Sequence, residues 1–143
     1  MPQLPLSADD KALIVAAQDA IQQLYRPGWH HIGAAVRLRS GRIVTAVHLE
    51  ANVGRVAVCA EAIAIGRAIA EGERDFATIV AVRHPHAGES DQSIRVVAPC
   101  GMCRELISDY GPATEVIYAD SGTIRKSLVG DLLPAKYTRS DGN

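Results

Sequence analysis

The chain has 143 residues, 48% of them hydrophobic, which suits one domain, 1–143, with a buried core. Its formal net charge is −1, from 15 basic and 16 acidic residues with no block of like charge, which argues against nucleic-acid and anionic-membrane partners. One Trp, four Tyr and one Phe are too few for a single-strand stacking platform, and the apolar runs fall short of a membrane span.

The opening "MPQLPLSADDKALI" lacks a basic segment followed by an apolar one, so a cytoplasmic setting is expected. Ser7 before Ala8, Asp9 and Asp10 has the form of a helix N-cap with acid in the first turn. Leu13, Ile14, Ala17, Ala20, Ile21 and Leu24 then recur at helical spacing, and Pro27-Gly28 stops the helix near Tyr25. "HIGAAVRLRSGRIVTAVHLE" reads as an antiparallel hairpin turning at Ser40-Gly41. Arg37 and Arg39 alternate with Val36 and Leu38 there, as in a strand with one polar side. An alanine-rich helix is expected from Cys59 to Glu71, with Gly72 as its stop. "ATIVAVRH" is a short buried strand, and "PHAGESDQS" a polar loop without structure of its own. "VVAPC" leads into a helix from Cys100 to Tyr110, ended by Gly111-Pro112. "TEVIYA" is a strand, Asp120-Ser121-Gly122 a turn, "TIRKSL" a strand or helix entry, and "LVGDLLPAKY" closes the fold. This alternation of helix and strand argues a layered α/β domain.

The chemistry concentrates in "CAE" and "PCGMCRE". Three cysteines, an odd number in an expected reducing compartment, point to metal binding or catalysis rather than a disulfide framework. All three fall at predicted helix N-termini, where free N–H groups and the helix dipole favour anions and lower thiol pKa values. Cys100 and Cys103, three apart, share one helix face and can reach one ion. Three protein ligands with a fourth position for water is the pattern of catalytic zinc, whereas a closed structural site wants a fourth Cys or His. Glu61 lies two residues beyond Cys59, about 200° around the helix. It is therefore poorly placed as a ligand and well placed to move protons beside one.

Cys-Ala-Glu followed about forty residues later by Pro-Cys-x-x-Cys resembles the zinc-dependent cytidine deaminase superfamily. The resemblance is nearest to small free-nucleoside deaminases with three Cys ligands, including the blasticidin-S deaminase branch. It extends to "IGAAV…SGRIVTAVHLE" and to "DLLPAKY", and so covers most of the chain. It implies a three-layer α/β/α fold with a five-stranded mixed sheet, one Zn²⁺ per chain, and a homotetramer or dimer. It also implies water attack on the carbon bearing the amino group, with Glu61 carrying protons and ammonia leaving. Arg104 stands where these enzymes direct an arginine at the thiolates.

Glu50, His48, His30 and Ala60 are the substrate-binding positions by the same resemblance. Glu50 keeps a carboxylate, His48 stands where an Asn commonly grips the ribose, and His30 where a Phe packs on the pyrimidine. Trp29 is a candidate for the missing aromatic face, and Arg55 for contact with an anionic or carbonyl group. The expected function is hydrolytic deamination of a cytidine-like nucleoside or related aminated heterocycle. Alternatives are a blasticidin-S-type or modified-base substrate and, lower, a zinc-stabilised module without catalysis.

Overall fold

The computed structural model describes residues 3–139; the expected domain span 1–143 includes residues 1–2 and 140–143, which lie outside the described residues. Helix α1 (Ala8–Leu24) starts on a capping box in which Ser7 and Asp10 satisfy each other's backbone N–H groups. The hairpin of β1 (Ile32–Leu38) and β2 (Ile43–Val47) turns through Gly41, whose φ of +96° suits glycine. Helix α2 (Ala60–Ala70) has Cys59 as its N-cap, and Gly72 follows its end at φ +86°. Strand β3 (Phe76–Arg83) leads through the 84–94 loop to β4 (Arg95–Val97), and helix α3 (Gly101–Tyr110) has Cys100 as N-cap. Strands β5 (Glu115–Asp120) and β6 (Thr123–Leu128) are followed by a 3₁₀ turn, Val129–Leu132.

Five strands run in the order β2-β1-β3-β5-β6, with β3 and β5 parallel and the other pairs antiparallel. The sixth, β4, was not anticipated as a strand. It is three residues long and pairs antiparallel with Ala81–Arg83, beyond Thr78–Val80 where β5 pairs. Because β1 occupies one edge of β3 along its whole length, β4 and β5 share the other edge and diverge from one another. Divergence at the carboxyl end of a strand is a common place for a ligand in α/β sheets.

Both sheet faces are covered, giving the expected three layers. On one face Leu13, Ala17 and Ile21 of α1 pack on Ala35, Val80, Val82 and Ile117. On the other, Ala60, Ala64, Ile65, Ala68, Cys103 and Ile107 of α2 and α3 pack on Ala34, Val36, Ile79 and Val116. The alternation of β1, β3 and β5 between the two clusters is the period-2 pattern of strands buried on both sides. Leu13 and Ile21 are fully buried, each stabilising the fold by roughly 1.5–3 kcal/mol. Helix α1 approaches β1 so closely that a Cβ on Gly33 would stand 2.7 Å from the Ala17 carbonyl oxygen and 2.9 Å from Ile21 Cβ.

The polar side expected of β1 is not a solvent face at Arg37. Its guanidinium donates to Asp10 Oδ1 at 3.1 Å and to Thr78 Oγ1 at 3.0 Å beneath α1. Lys126 reaches the other oxygen of Asp10 at 2.6 Å and Glu115 at 3.2 Å. Asp10 is completely inaccessible. Burial alone would raise its carboxyl pKa, but Lys126, the Ser7 N–H and Arg37 outweigh burial and hold it at about 2. The loop after β3 is likewise ordered by side chains. Arg83 grips Glu89 through two hydrogen bonds, at 3.0 and 2.6 Å, and Glu89 also accepts from the His86 N–H.

Candidate active site

The two cysteine-bearing helices point their N-termini at one place. Cys59 and Cys100 are both N-caps with extended backbone, and Cys103 lies in the first turn of α3. The sulfurs of Cys59, Cys100 and Cys103 all lie within 4.8 Å of one another, Cys59 and Cys100 at 3.6 Å. Tetrahedral zinc–thiolate bonds of about 2.3 Å set ligand sulfurs about 3.8 Å apart, so this spacing fits zinc. The electrostatics ask for a cation as well. Burial raises the Cys103 thiol pKa strongly, and Glu61, Cys59 and Cys100 add to the rise. Cys59 is raised by burial and then by Cys100. At Cys100 burial is outweighed by the Cys103 backbone N–H and the neighbouring thiols, so this sulfur ionises more readily than a free thiol. Three thiolates so crowded repel, and a divalent ion removes that repulsion while demanding the deprotonated forms.

Glu61, in the first turn of α2, is 5% exposed. Burial raises its carboxyl pKa, against lesser lowering by its own N–H and the Cys103 thiol. With Cys59 and Cys100 it lines a cavity of about 330 Å³. Ile32, Ala57, Val58, Ala60, Ala81, Val97 and Ala98 make an apolar wall, and His48 supplies a polar one. Ala81, Val97 and Ala98 sit where β4 leaves β5 to complete the edge of β3. In the sequence Ala81, Val97 and Ala98 look like ordinary strand apolars. The only available signal was that Val97 and Ala98 immediately precede Pro99-Cys100.

His48 is drawn to the cysteines by a two-way bridge, Leu49 N–H to Val58 C=O and Val58 N–H to Leu49 C=O, both 2.9 Å. Of the four expected substrate positions, His48 and Ala60 line the cavity, whereas Glu50 and His30 are not among its lining residues. Glu50 has one oxygen 3.7 Å from His48 Nε2 and the other accepting from the Ala51 N–H. The His30 ring is not placed for stacking there; its Nδ1 is 2.8 Å from the His48 carbonyl oxygen. Trp29 stands partly exposed under the Arg26 guanidinium, and Arg55 is exposed in the 3₁₀ turn Gly54–Val56. Arg104, expected to aim at the thiolates, instead sends Nε to the Pro99 carbonyl at 2.9 Å and Nη1 to the Leu132 carbonyl at 3.1 Å. It ties the segment entering Cys100 to the last 3₁₀ turn.

A buried Glu beside three converging thiols, on one small apolar cavity, fits a catalytic zinc centre, and likeness to known proteins makes it that of a zinc-dependent hydrolytic deaminase. Residues 7–120 match the family of the cytidine and deoxycytidylate deaminase zinc-binding region, and the chain belongs to that family. It is 54% identical to a blasticidin-S deaminase of Bacillus cereus over 94% of this chain and 96% of that one. Identity to a cytidine deaminase of Halalkalibacterium halodurans is 30%, over 94% of this chain and 98% of the relative. Among solved structures, a cytidine deaminase from Burkholderia pseudomallei superposes with a TM-score of 0.73 at 31% identity, covering 92% of this chain and all of that one.

Proposed function

We propose that the chain deaminates a cytosine-bearing nucleoside, of the blasticidin S type in preference to plain cytidine. The observation that carries the chemistry is the buried Glu61 carboxyl sharing one cavity with Cys59 and Cys100. Zinc held by Cys59, Cys100 and Cys103 supplies the Lewis acidity that brings the pKa of water towards neutrality. Glu61 takes a proton from the attacking water and hands it to a ring nitrogen of the substrate. It then takes the second proton, from the hydroxyl now on the attacked carbon, and gives it to the amine; the C=O bond forms as the C–N bond breaks, and ammonia departs. Its burial suits this double role, since burial raises the carboxyl pKa and makes Glu61 a stronger base than an exposed carboxylate.

Preference for a blasticidin-S-type substrate is supported by 54% identity to the Bacillus cereus enzyme against 30% to a cytidine deaminase. Among the described residues no Phe, Tyr or Trp lines the cavity, and His30 is turned to the His48 carbonyl, which also speaks against the usual packing on cytidine. The test is ammonia release from blasticidin S, cytidine and deoxycytidine by the zinc-loaded protein. A cytidine specificity constant above about 10⁵ M⁻¹s⁻¹, ordinary for good substrates, refutes the preference. Release from none refutes the activity.

The same reading makes the protein a cytoplasmic homotetramer. Leu49, Val53 and Val56 are exposed apolar side chains on the connection between β2 and α2, beside the site. Light scattering at micromolar concentration tests this, and a fully active monomer overturns it. Among the described residues no helix is long and apolar enough to cross a membrane.

A further inference from the structure

Strand β4 carries one wall of the cavity, yet little of its own length holds it. It has three residues, Arg95–Val97, and pairs with β3; a common strand has about five or six. Its register divides its side chains between the two faces of the sheet. Val96, opposite Val82, packs with the α1 cluster, whereas Val97, opposite Ala81, lines the cavity together with Ala98. A slip by one residue would exchange those faces and take the Val97 side chain off the cavity.

The segment is anchored from several sides. Behind it, Arg104 holds the Pro99 carbonyl. Ahead of it, Gln18 of α1 donates to the Ile94 carbonyl at 3.0 Å. The ladder starts where Arg83, the last residue of β3, stands opposite Arg95, the first of β4. The 84–94 loop closes over that pair, and Arg83 reaches into the loop. Its two terminal nitrogens donate to the two Glu89 oxygens at 3.0 and 2.6 Å. One of those oxygens also accepts from the His86 N–H at 2.8 Å, and Gln92 Nε2 donates to the His86 and Glu89 carbonyls. A bidentate guanidinium–carboxylate pair is directional, unlike a loose surface ion pair. Pinning the loop at Glu89 removes conformations through which β4 could leave β3 or slide along it.

We propose that Arg83 and Glu89 are positioning residues for the cavity wall: their ion pair closes the 84–94 loop so that β4 keeps the register that turns Val97 to the cavity. Neither residue lines the cavity, so both act through β4. The effect on substrate rests on the deaminase reading; the hold on β4 does not.

Amide hydrogen exchange of the zinc-loaded protein reads that hold directly. In Glu89→Ala the β4 amides should exchange about tenfold faster, with those of β1 within about twofold of wild type. Glu89→Gln keeps an acceptor for Arg83 and the His86 N–H and should fall between. Arg83→Met should match Glu89→Ala, and the double variant should be no worse than either, as for two halves of one interaction. Unchanged β4 exchange, an equal rise throughout β1 and β4, or effects that add in the double variant overturn the proposal. Initial rates with blasticidin S and with cytidine then separate positioning from general support. A displaced wall raises KM about fivefold or more in Glu89→Ala with kcat within about threefold, and Glu89→Gln recovers part of the loss. Zinc content stays unchanged, because the Arg104 anchor before Cys100 is untouched. Unchanged KM beside faster β4 exchange, or loss of zinc and kcat together, overturns the assignment to the wall. If neither nucleoside releases ammonia, the deaminase reading fails while hydrogen exchange still decides the hold on β4.

Discussion

Asp10→Asn removes one charge from the buried cluster beneath α1 and keeps its shape. The Asp10 carboxyl lies at about 2, against 3.8 for an unperturbed group. At about 1.4 kcal/mol per pH unit this corresponds to roughly 2 kcal/mol of native-state stabilisation. The loss can exceed that. An Asn has one acceptor oxygen where Asp10 now serves Arg37, Lys126 and the Ser7 N–H. Removing one partner of a buried ion pair typically costs about 3–5 kcal/mol, but Lys126 keeps Glu115, which moderates the loss. The expected range at pH 7 is therefore about 2–4 kcal/mol, read as a lower urea midpoint with unchanged m-value at fixed zinc loading. A depressed carboxyl pKa stabilises the fold above pH 3.8, and this contribution fades as pH falls towards 2. The variant should lack that component of acid lability. Activity per folded molecule should be unaffected, because α1 and the cavity lie on opposite faces of the sheet. A loss below about 0.5 kcal/mol at pH 7, typical of a surface substitution, would refute the argument.

Cys100→Ala should abolish stoichiometric zinc in metal analysis, since it removes one of three clustered sulfurs; an unchanged zinc content would sink the ligand assignment. Glu61→Gln should keep fold and zinc but lose turnover by at least about 10²–10⁴ in an ammonia assay, the usual contribution of a general acid–base group; activity within tenfold of wild type would remove Glu61 from the mechanism. Gly33→Ala should destabilise the chain by about 1–3 kcal/mol in urea, because its Cβ would press on the Ala17 carbonyl and Ile21; a neutral result would mean that α1 can shift freely.

Local signals were legible in the chain. Ser7-x-x-Asp10, the turn glycines and the alternating apolars mark elements because caps, turns and strand periodicity act over a few residues. The donor set was also readable, since Cys59, Cys100 and Cys103 open helices and Glu61 follows within one turn. What lay beyond the sequence depends on contacts between distant segments. Arg37 looked like half of a polar strand side, and only the packing of α1 across the sheet gives it Asp10 and brings that carboxylate to Lys126 of β6. Arg104 looked aimed at sulfur, but the adjoining Pro99 and Leu132 carbonyls offered nearer acceptors. Strand β4 was hidden because three residues are too few to show a period, and it exists by pairing with the free edge of β3. That pairing shapes the cavity wall. The setting of the His48 ring was hidden for the same reason: the N–H groups that face its Nδ1 belong to residues 31 and 32, and the hairpin register alone carries them to the ring.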